Sequence, residues 1–251
     1  MSKNHTVSVI VPAYNEEKYI RSVLEELKKA KNIFEIICIN DGSQDNTLSQ
    51  VQMVKGITIL DLKENKGKSN AVVKGIDITK GDIIAFVDAD LTGNIADAVD
   101  ALVAPLLHDE CDATVGYPKA NSLDSFCKPL SGERAYYKKD LLPHLNKLQK
   151  KGYGMELFLN YTFRDKHIKC FPLKGVTHIM KHKKQSYKTV VHLTIVEVLD
   201  LLSEVFSQKN PSSFFLRSYI YSFYLKKPVK KDIKIEEVIE SVRDFIKKQL
   251  A

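Results

Sequence analysis

The sequence predicts an α/β fold in which helices flank a mostly parallel central sheet and further helices form the C-terminal segment. Two observations support this prediction. Over the first 120 residues, short β-branched runs alternate with stretches of helical periodicity, which is the pattern of parallel strands joined by right-handed crossovers. Polar and acidic residues directly follow several of these runs, and open α/β sheets bind ligands at that carboxyl edge.

The first three elements follow from local patterns. Val7–Val11 is an apolar, β-branched run that is too short for a helix, and Pro12 is expected to end it. Residues 34–39 are nearly all apolar, as expected for a strand that is covered on both faces. Between them, residues 16–29 carry apolar side chains at helical spacing, namely Ile20, Val23, Leu24 and Leu27.

The alternation of strand and helix continues along the chain. The next expected elements are a turn at 41–43, a helix from Thr47, a strand at 57–60, a helix over 67–76 and a strand at 83–87. Beyond them the pattern is less regular, with a short strand at 113–115 and helices at 136–148 and 155–163. Pro143 is expected to interrupt the first of these helices, because proline lacks a backbone N–H. From Tyr187 onward the pattern is helical.

Composition and length limit the class of protein. A chain of 251 residues suits one large α/β domain, alone or with a helical appendage. Its polar N-terminus leads directly into a strand, so no signal peptide is expected, and no apolar run reaches the roughly 18 residues of a membrane-spanning helix. The four cysteines are widely spaced without a Cys-x-x-Cys pair. This spacing argues against a disulfide framework or a zinc site and favours a reduced, cytoplasmic protein.

Positive charge is concentrated in the C-terminal third. Residues 1–160 carry 20 Lys and Arg against 22 Asp and Glu, whereas residues 161–251 carry 18 against 9. Such an excess suits an anionic partner, which could be a phosphorylated acceptor, a membrane surface or nucleic acid. A solvated, Lys-rich helical surface would have the same composition. The aromatic and basic segment at 214–231 suits either a membrane interface or a helix packed on the rest of the protein.

Asp88 and Asp90 are the residues whose spacing points most directly to chemistry. They follow the apolar run at 83–87, and unpaired carboxylates are costly inside a protein core. Two carboxylates that address one ion suit Mg²⁺ or Mn²⁺ bound to a diphosphate, where the ion would offset charge on a leaving nucleoside diphosphate. An Asp-x-Asp pair alone is also common at ordinary surface turns and caps.

Four stretches of the first half resemble glycosyltransferase family 2, whose members have the GT-A fold with a Rossmann-like central sheet. They are VSVIVPAYNEEKYI (7–20), ICINDGSQDNT (37–47), NKGKSNAVVKGI (65–76) and GDIIAFVDADL (81–91), in the order of the family. The second half is similar to the glucosyl-3-phosphoglycerate synthases of the same fold. The resemblance implies an enzyme that transfers a hexose from a nucleoside diphosphate sugar, in particular a UDP sugar.

The resemblance also implies which residues hold the donor. Asp41 would accept a hydrogen bond from the base, Gly67 would allow close approach of the backbone, and Lys68 would lie near the phosphates. Asp88 would contact the ribose or the metal, Asp90 would hold the metal directly, and Ala89 lies between them. The base and ribose would be framed by Pro12, Ala13, Tyr14 and Glu16. Taken singly, residues 12–16 also suit a turn, Asp41 an Asx turn and Gly67 a helix start.

Two segments of the second half resemble the acceptor side of the family. They are PLSGERA (129–135) and GYGMELFLN (152–160), and the implied acceptor residues are Gly132, Glu133, Arg134, Tyr153 and Gly154. Glu156 would place the donor sugar or the acceptor, or act as a base, although a capping carboxylate is the alternative. Many inverting members carry a Glu-Asp pair here, whereas this chain has Met155-Glu156. The stereochemical outcome therefore stays open.

A third metal ligand is expected downstream, because some relatives use a histidine there. The segment GVTHIMKHKKQ (175–185) offers His178 and His182. The Gly-Val spacing favours His178, which is the preferred candidate, and the His-Lys-Lys-Gln ending favours His182. An imidazole is a more typical ligand for Mn²⁺ than for Mg²⁺, and both ions are candidate cofactors.

The sequence therefore predicts a metal-dependent hexosyltransferase. The predicted catalytic domain spans 1–185, with a nucleotide-binding part at about 1–120 and an acceptor part at about 121–185, and a helical extension follows at 186–251. The acceptor is unidentified, with phosphorylated and lipid-linked molecules as candidates. No nucleic-acid partner is expected, whereas peripheral association with the cytoplasmic face of a membrane and a homodimer are compatible with the sequence.

Two other functions are kept as alternatives. A nucleotidyltransferase also needs carboxylates and a basic loop on an α/β sheet, but it normally has a Gly-rich basic loop after the first strand, where this chain has PAYNEE. A non-catalytic membrane- or anion-binding protein would use the basic C-terminal region instead. Nucleotide affinity in the full chain distinguishes the enzyme from the binding protein.

Overall fold

The computed structural model describes residues 5–118 and 131–178 of the chain. The strands in these ranges are β1 (Val7–Ala13), β2 (Glu35–Asp41), β3 (Thr58–Leu62), β4 (Ile83–Phe86), β5 (Leu91–Gly93), β6 (Ala113–Pro118), β7 (Arg134–Tyr137), β8 (Ile168–Leu173) and β9 (Val176–His178). Seven of them form one sheet in the order β3-β2-β1-β4-β7-β6-β8, and β5 and β9 form a two-stranded ribbon. Within the sheet only β7 is antiparallel to its neighbours, so the predicted mostly parallel sheet is confirmed.

Helices cover both faces of this sheet. In the described ranges they are α1 (Ile20–Leu27), α2 (Thr47–Gln52), α3 (Lys68–Ile78), α4 (Ile95–Leu107), α5 (Lys138–Leu141), α6 (Leu145–Leu148) and α7 (Met155–Thr162). Successive strand residues point to opposite faces, so Val9 and Ile10 belong to two different hydrophobic clusters. The cluster around Val9 includes the buried faces of α1 and α4, and the cluster around Ile10 includes those of α3 and α7.

Strand β1 extends beyond its predicted end at Pro12. Pro12 pairs with Ile39 of β2, and the strand ends at Ala13. The pairing of β1 with β4 stops at Ile10. Since Pro12 lies beyond that pairing, its missing N–H removes no ladder bond to β4, and the proline is tolerated in a strand near the centre of the sheet.

The prediction of a helix at 136–148 is wrong at its start. Arg134–Tyr137 form β7, whose four residues are buried between β4 and β6. Helical structure begins only at Lys138, and Pro143 lies in a 3₁₀ turn between α5 and α6. The interruption at Pro143 is therefore as expected, whereas pairing with two neighbouring strands overrides the local pattern around Tyr136.

Some predictions fall on residues outside the described ranges. The predicted helical extension at 186–251, His182 and the start of the acceptor segment at 129–130 lie outside the described residues. Among the helices of the described ranges, none combines the length and the apolar character that crossing a bilayer requires.

Candidate active site

Polar side chains from several elements meet at the carboxyl edge of the parallel strands. Asp41 is the last residue of β2, Asp88 follows β4, and Lys68 is the first residue of α3. Glu133 precedes β7, Glu156 lies in the first turn of α7, and His178 ends β9. Side-chain contacts join Lys68 to Asp88 and Glu156 and join His178 to Asp90 and Glu133. The carboxylate of Asp41 contacts the backbone before α3.

Lys68 bridges two carboxylates that come from different parts of the chain. Its Nζ lies 2.7 Å from Asp88 Oδ1 and 3.0 Å from Glu156 Oε1. Burial by itself would lower the pKa of Lys68, but attraction to Asp88 and Glu156 outweighs it and raises the pKa above its ordinary value. Lys68 is therefore a fixed positive charge at the sheet edge.

Asp90 and His178 are brought together by the ribbon of β5 and β9. Leu91, the residue after Asp90, pairs antiparallel with His178. Nδ1 of His178 consequently lies 3.2 Å from Asp90 Oδ1. Burial acts to lower the pKa of His178, yet the negative charge of Glu133 and contacts with Asp90 raise it to about 11. Without a bound cation, the carboxylates around His178 therefore favour the protonated imidazole at neutral pH.

Glu133 lies on the other side of the same imidazole. Its Oε2 is 3.3 Å from Nε2 of His178 and 2.7 Å from the hydroxyl of Ser131. The side chain is only 1% exposed, and Oε1 has no hydrogen-bond partner in the described part of the chain. Burial acts to raise the pKa of Glu133, but attraction to His178 and the hydrogen bonds from His178 and Ser131 lower it. Glu133 is therefore a buried carboxylate that contacts His178 through Oε2 and leaves Oε1 without a hydrogen-bond partner among the described residues.

These residues fit a divalent cation. Asp88, Glu133 and His178 each offer one ligand atom, and the three atoms lie within 4.8 Å of one another. Asp90 adds a further carboxylate next to His178. Carboxylate oxygens together with an imidazole nitrogen suit Mn²⁺. The carboxylate oxygens alone also suit Mg²⁺, which is less typically bound by nitrogen. Burial and the nearby charge of Glu133 also raise the pKa of Asp88, as expected for a carboxylate group crowded by others before a cation is bound.

Asp41 makes a double contact with the loop before α3. Its Oδ1 accepts a hydrogen bond of 3.1 Å from the backbone N–H of Lys66, and its Oδ2 accepts one of 2.9 Å from that of Gly67. Gly67 has a φ of +89° at the N-terminal cap of α3, a conformation that favours glycine. The carboxylate predicted to contact the base thus also fixes the loop that carries Lys68.

The segment after β1 forms the rim beside Asp41. Ala13 pairs with Asn40, so Tyr14 follows β1 at the level where Asp41 ends β2. The backbone N–H of Glu16 donates to the hydroxyl of Thr47 at 2.7 Å, which ties the turn to α2. Tyr14 itself is exposed, and its ring can meet a ligand.

Gly132 lies against the centre of the site. A Cβ atom at this position would come within 2.5 and 2.7 Å of the two carboxylate oxygens of Asp88 and within 2.7 Å of Lys68 Nζ. These distances are shorter than any ordinary contact, so a glycine is required for this arrangement of Asp88 and Lys68. Gly154 precedes α7, and Tyr153 lies in the 3₁₀ turn Gly152–Gly154.

Arg134, one of the residues predicted at the acceptor, is held inside the protein. Its side chain is fully buried, and its guanidinium donates to the carbonyl of Ser131 at 2.6 Å and to Asn160 at 2.7 Å. The reason is that Arg134 begins β7 inside the sheet, where a charged side chain must find internal partners. Arg134 therefore supports the Ser131–Glu133 segment from within, and its role at the acceptor stays a prediction.

Sequence comparison identifies similar proteins for most of this region. The model of glycosyl transferase family 2 matches residues 8–174. A dodecaprenyl-phosphate galacturonate synthase of Rhizobium johnstonii is 29% identical over 181 residues, which are 68% of this chain and 52% of that protein. An undecaprenyl-phosphate 4-deoxy-4-formamido-L-arabinose transferase of Proteus mirabilis is 32% identical over 133 residues, 49% of this chain and 40% of that protein. The chain thus spans about half or less of the length of these relatives.

Solved structures have the same architecture. Glucosyl-3-phosphoglycerate synthase from Mycobacterium tuberculosis, in complex with Mn²⁺, UDP and glucosyl-3-phosphoglycerate, gives a TM-score of 0.62 at 24% identity over 80% of both chains. Its complex with Mg²⁺ and UDP gives a TM-score of 0.62 at 24% identity, with 80% of this chain and 79% of that chain covered. At this level of identity the likeness establishes the fold, and the predicted GT-A fold is confirmed.

Proposed function

The chain belongs to glycosyl transferase family 2, and on that premise we propose that it transfers a hexose from a UDP sugar to a phosphorylated acceptor, with a divalent metal as cofactor. The observation that carries this proposal is the meeting of Lys68, Asp88, Asp90 and His178 at the carboxyl edge of the sheet. A donor diphosphate is strongly anionic. This edge offers one fixed cation and a set of ligands for a second.

In this proposal Asp88, Asp90 and His178 hold Mg²⁺ or Mn²⁺. The ion supplies positive charge beside the leaving diphosphate. Lys68 contributes a second positive charge from the protein. Because Asp88 and Glu156 already orient its ammonium group, little reorganisation is needed when charge develops on the phosphates.

The nucleoside would bind along the rim beside β1 and β2. The exposed ring of Tyr14 can pack against the base, and Pro12, Ala13 and Glu16 complete the turn that frames base and ribose. Asp41 would accept a hydrogen bond from the base with the lone pairs that its two backbone contacts leave available. Gly67, without a side chain, leaves room for the phosphates at the start of α3.

Glu156 is our candidate for the acceptor side. Its carboxylate accepts from Lys68, which is proposed to contact the diphosphate, so the sugar attached to that diphosphate would lie close to Glu156. There it can orient the sugar or the acceptor, or take the acceptor proton. Gly132, Tyr153 and Gly154 lie in the segments that flank it and are proposed to line the acceptor.

A phosphorylated acceptor agrees with the proteins to which this chain is similar. Two relatives are named for polyprenyl phosphates, and the solved neighbour was crystallised with glucosyl-3-phosphoglycerate. The polyprenyl phosphates and the phosphoglyceric acid with which the same neighbour was also crystallised share an anionic phosphate, and only the polyprenyl phosphates carry a lipid. Where the acceptor is lipid-linked, the basic C-terminal third would favour contact with an anionic membrane surface.

Calorimetry with UDP and Mn²⁺ on the full chain tests the proposal. Wild type should bind UDP more tightly with Mn²⁺ than without it, and Asp90→Ala should lose that difference while still binding UDP weakly. Asp82→Ala removes an exposed aspartate at the opposite edge of the sheet and should behave as wild type. Failure of the wild type to bind any nucleoside diphosphate would end the proposal.

The acceptor class needs a separate measurement. The full chain is incubated with a radiolabelled UDP sugar and either polyprenyl phosphate in vesicles or a small phosphorylated acid. Label that moves into the organic phase identifies a lipid acceptor, and label in a new anionic, water-soluble product identifies a small one.

A further inference from the structure

The contact between Glu133 and His178 is not explained by a role of Glu133 at the acceptor. Glu133 is nearly inaccessible, since 1% of its side chain is exposed, whereas 36% of the His178 side chain is exposed. Its Oε2 faces Nε2 of His178 at 3.3 Å. A carboxylate buried to this degree needs partners, and the partner it has on the site is the imidazole.

The opposite side of the imidazole has another environment. Nδ1 of His178 faces Asp90 Oδ1 at 3.2 Å. The side chains of Asp88 and Asp90 are 21% and 22% exposed, so this side is more accessible to solvent than the side of Glu133. The two ring nitrogens are therefore distinguished by their surroundings, one buried against Glu133 and one beside the accessible carboxylates.

We propose that Glu133 is a positioning residue for the metal site: it accepts a hydrogen bond from Nε2–H of His178, so that Nδ1, next to Asp90, is the nitrogen that binds the metal. This inference rests on the proposed metal-dependent function. Histidine ligands commonly donate their second ring N–H to a carboxylate, which fixes both the tautomer and the ring orientation. Ser131 holds the carboxylate in turn, because its hydroxyl lies 2.7 Å from Oε2.

The competing arrangement puts the ion between Glu133 and Nε2, since Glu133, Asp88 and His178 have ligand atoms within 4.8 Å of one another. Burial argues against it. An ion that serves a diphosphate must leave several coordination positions for phosphate oxygens and water. Ser131 packs against the carboxylate of Glu133, and its hydroxyl also contacts the carbonyl of Gly116 at 2.6 Å. The Asp90 side is the more accessible one, since 22% of the Asp90 side chain is exposed against 1% of that of Glu133.

Nitrogen NMR of the full chain tests the inference directly. Protein labelled with ¹⁵N in its histidine rings is saturated with Mg²⁺ and UDP, and two-bond ¹H–¹⁵N correlations identify which nitrogen of His178 carries the proton. A His178→Asn variant assigns the signal. We expect the proton on Nε2. A proton on Nδ1 would put the metal on the Glu133 side and overturn the inference.

Substitutions of Glu133 supply the second readout. Mn²⁺ affinity in the presence of UDP, measured by electron paramagnetic resonance, should fall by about 10- to 100-fold in Glu133→Leu, as is typical when the partner of a metal-binding histidine is lost. Glu133→Gln keeps a carbonyl acceptor for Nε2–H and should recover most of the affinity. Glu110→Gln, at an exposed carboxylate paired with Lys169, controls for the loss of one negative charge.

The outcomes separate this inference from the proposed function. If wild type binds neither UDP nor Mn²⁺, the proposed function fails and the inference with it. If wild type binds both, but Glu133→Gln binds Mn²⁺ as weakly as Glu133→Leu, the charge of Glu133 and not its acceptor role is what matters, and only the inference fails. Recovery in Glu133→Gln together with a proton on Nε2 supports it.

Discussion

Asp90 and His178 are 88 positions apart in the chain, yet Oδ1 of the first lies 3.2 Å from Nδ1 of the second. Neither belongs to the main sheet. The short ribbon of β5 and β9 makes the contact, because it starts directly after Asp90 and ends at His178. The proposed metal site thus depends on a pair of three-residue strands, and the backbone of that ribbon can be tested without altering a ligand.

Gly93→Ala is expected to weaken metal binding from outside the site. Gly93 has a φ of +101°, and a Cβ atom there would lie 2.0 Å from the carbonyl oxygen of Gly175. The strands must move apart to relieve this contact, which shifts His178 away from Asp90. We expect Mn²⁺ affinity in the presence of UDP to fall at least about tenfold, the lower end of the effect of misplaced metal ligands. Titration followed by paramagnetic resonance measures it.

Gly56→Ala is the matched control for that substitution. Gly56 also has a positive φ, +80°, but an added Cβ would meet no atom within 4 Å. Both variants place an alanine at a positive φ, but only the one at Gly93 brings a methyl group against another strand. Equal Mn²⁺ affinities in the two variants would contradict the role assigned to the ribbon.

Gly132→Ala should disturb the other half of the site. The added methyl group would overlap the carboxylate of Asp88 and the ammonium of Lys68, so both must leave the positions in which they contact each other. Donor affinity and turnover should each fall at least about tenfold, because catalytic groups act only within narrow geometry. Isothermal calorimetry with UDP and a transfer assay measure the loss, and an unchanged far-ultraviolet spectrum shows that the fold persists. Activity within twofold of wild type would contradict this prediction.

Lys68→Met is expected to reduce UDP affinity by at least about tenfold, since a charge-assisted contact with phosphate is worth about 1.5–3 kcal/mol. Methionine keeps much of the length of the side chain while removing the charge between Asp88 and Glu156. Lys66→Met is the matched control, two residues away, where the ammonium pairs with Glu64 on the exposed surface. A loss of affinity of the same size in both variants would mean that general electrostatic attraction, and not the position of Lys68, holds the donor.

The part of the site built by the parallel strands could be predicted from the sequence. Asp41 and Asp88 come at or just after the ends of apolar runs that form strands, and parallel strands bring their carboxyl ends to one edge. Gly67 and Lys68 mark the start of α3, whose helical periodicity is visible in the sequence. Each of these positions follows from the strand or helix beside it, so local pattern was sufficient.

The surroundings of Glu133 could not be predicted in the same way. β7 is inserted antiparallel between β4 and β6, and that choice depends on contacts far apart in the chain. The sequence around Tyr136 resembles a helix, and β5 and β9 are too short to produce a periodic pattern. One local signal was available: Glu133 and Arg134 precede apolar residues of a buried segment, and charged groups in such a place need internal partners.

Cys38 should resist alkylation until the protein unfolds. Burial in β2 raises the pKa of its thiol to about 12, so at pH 8 the thiolate fraction is about 10⁻⁴. Cys170 is exposed and should react before Cys38. Iodoacetamide treatment at pH 8 followed by peptide mass spectrometry should find Cys170 modified and Cys38 unmodified, and guanidinium chloride should expose Cys38. Modification of Cys38 at the rate of Cys170 in native protein would contradict its buried position.

Asp41→Asn should loosen the loop that carries Lys68. The carboxylate of Asp41 accepts from the backbone N–H groups of Lys66 and Gly67, and an asparagine amide would turn an NH₂ group toward one of these donors. Loss of one such bond at a buried site should lower the free energy of unfolding by about 1–3 kcal/mol, which urea denaturation measures. UDP affinity should fall as well, because Lys68 is no longer held in place.

The control for Asp41→Asn is Asp82→Asn. Asp82 also accepts a backbone N–H, that of Thr6 at 3.2 Å, but it is exposed and lies before β4 at the amino edge of the sheet. Water can replace this bond, so stability should change by less than about 1 kcal/mol and UDP affinity should not change. If Asp41→Asn binds UDP as wild type does while losing stability, then Asp41 supports only the fold, and the link from the loop to Lys68 has no part in donor binding.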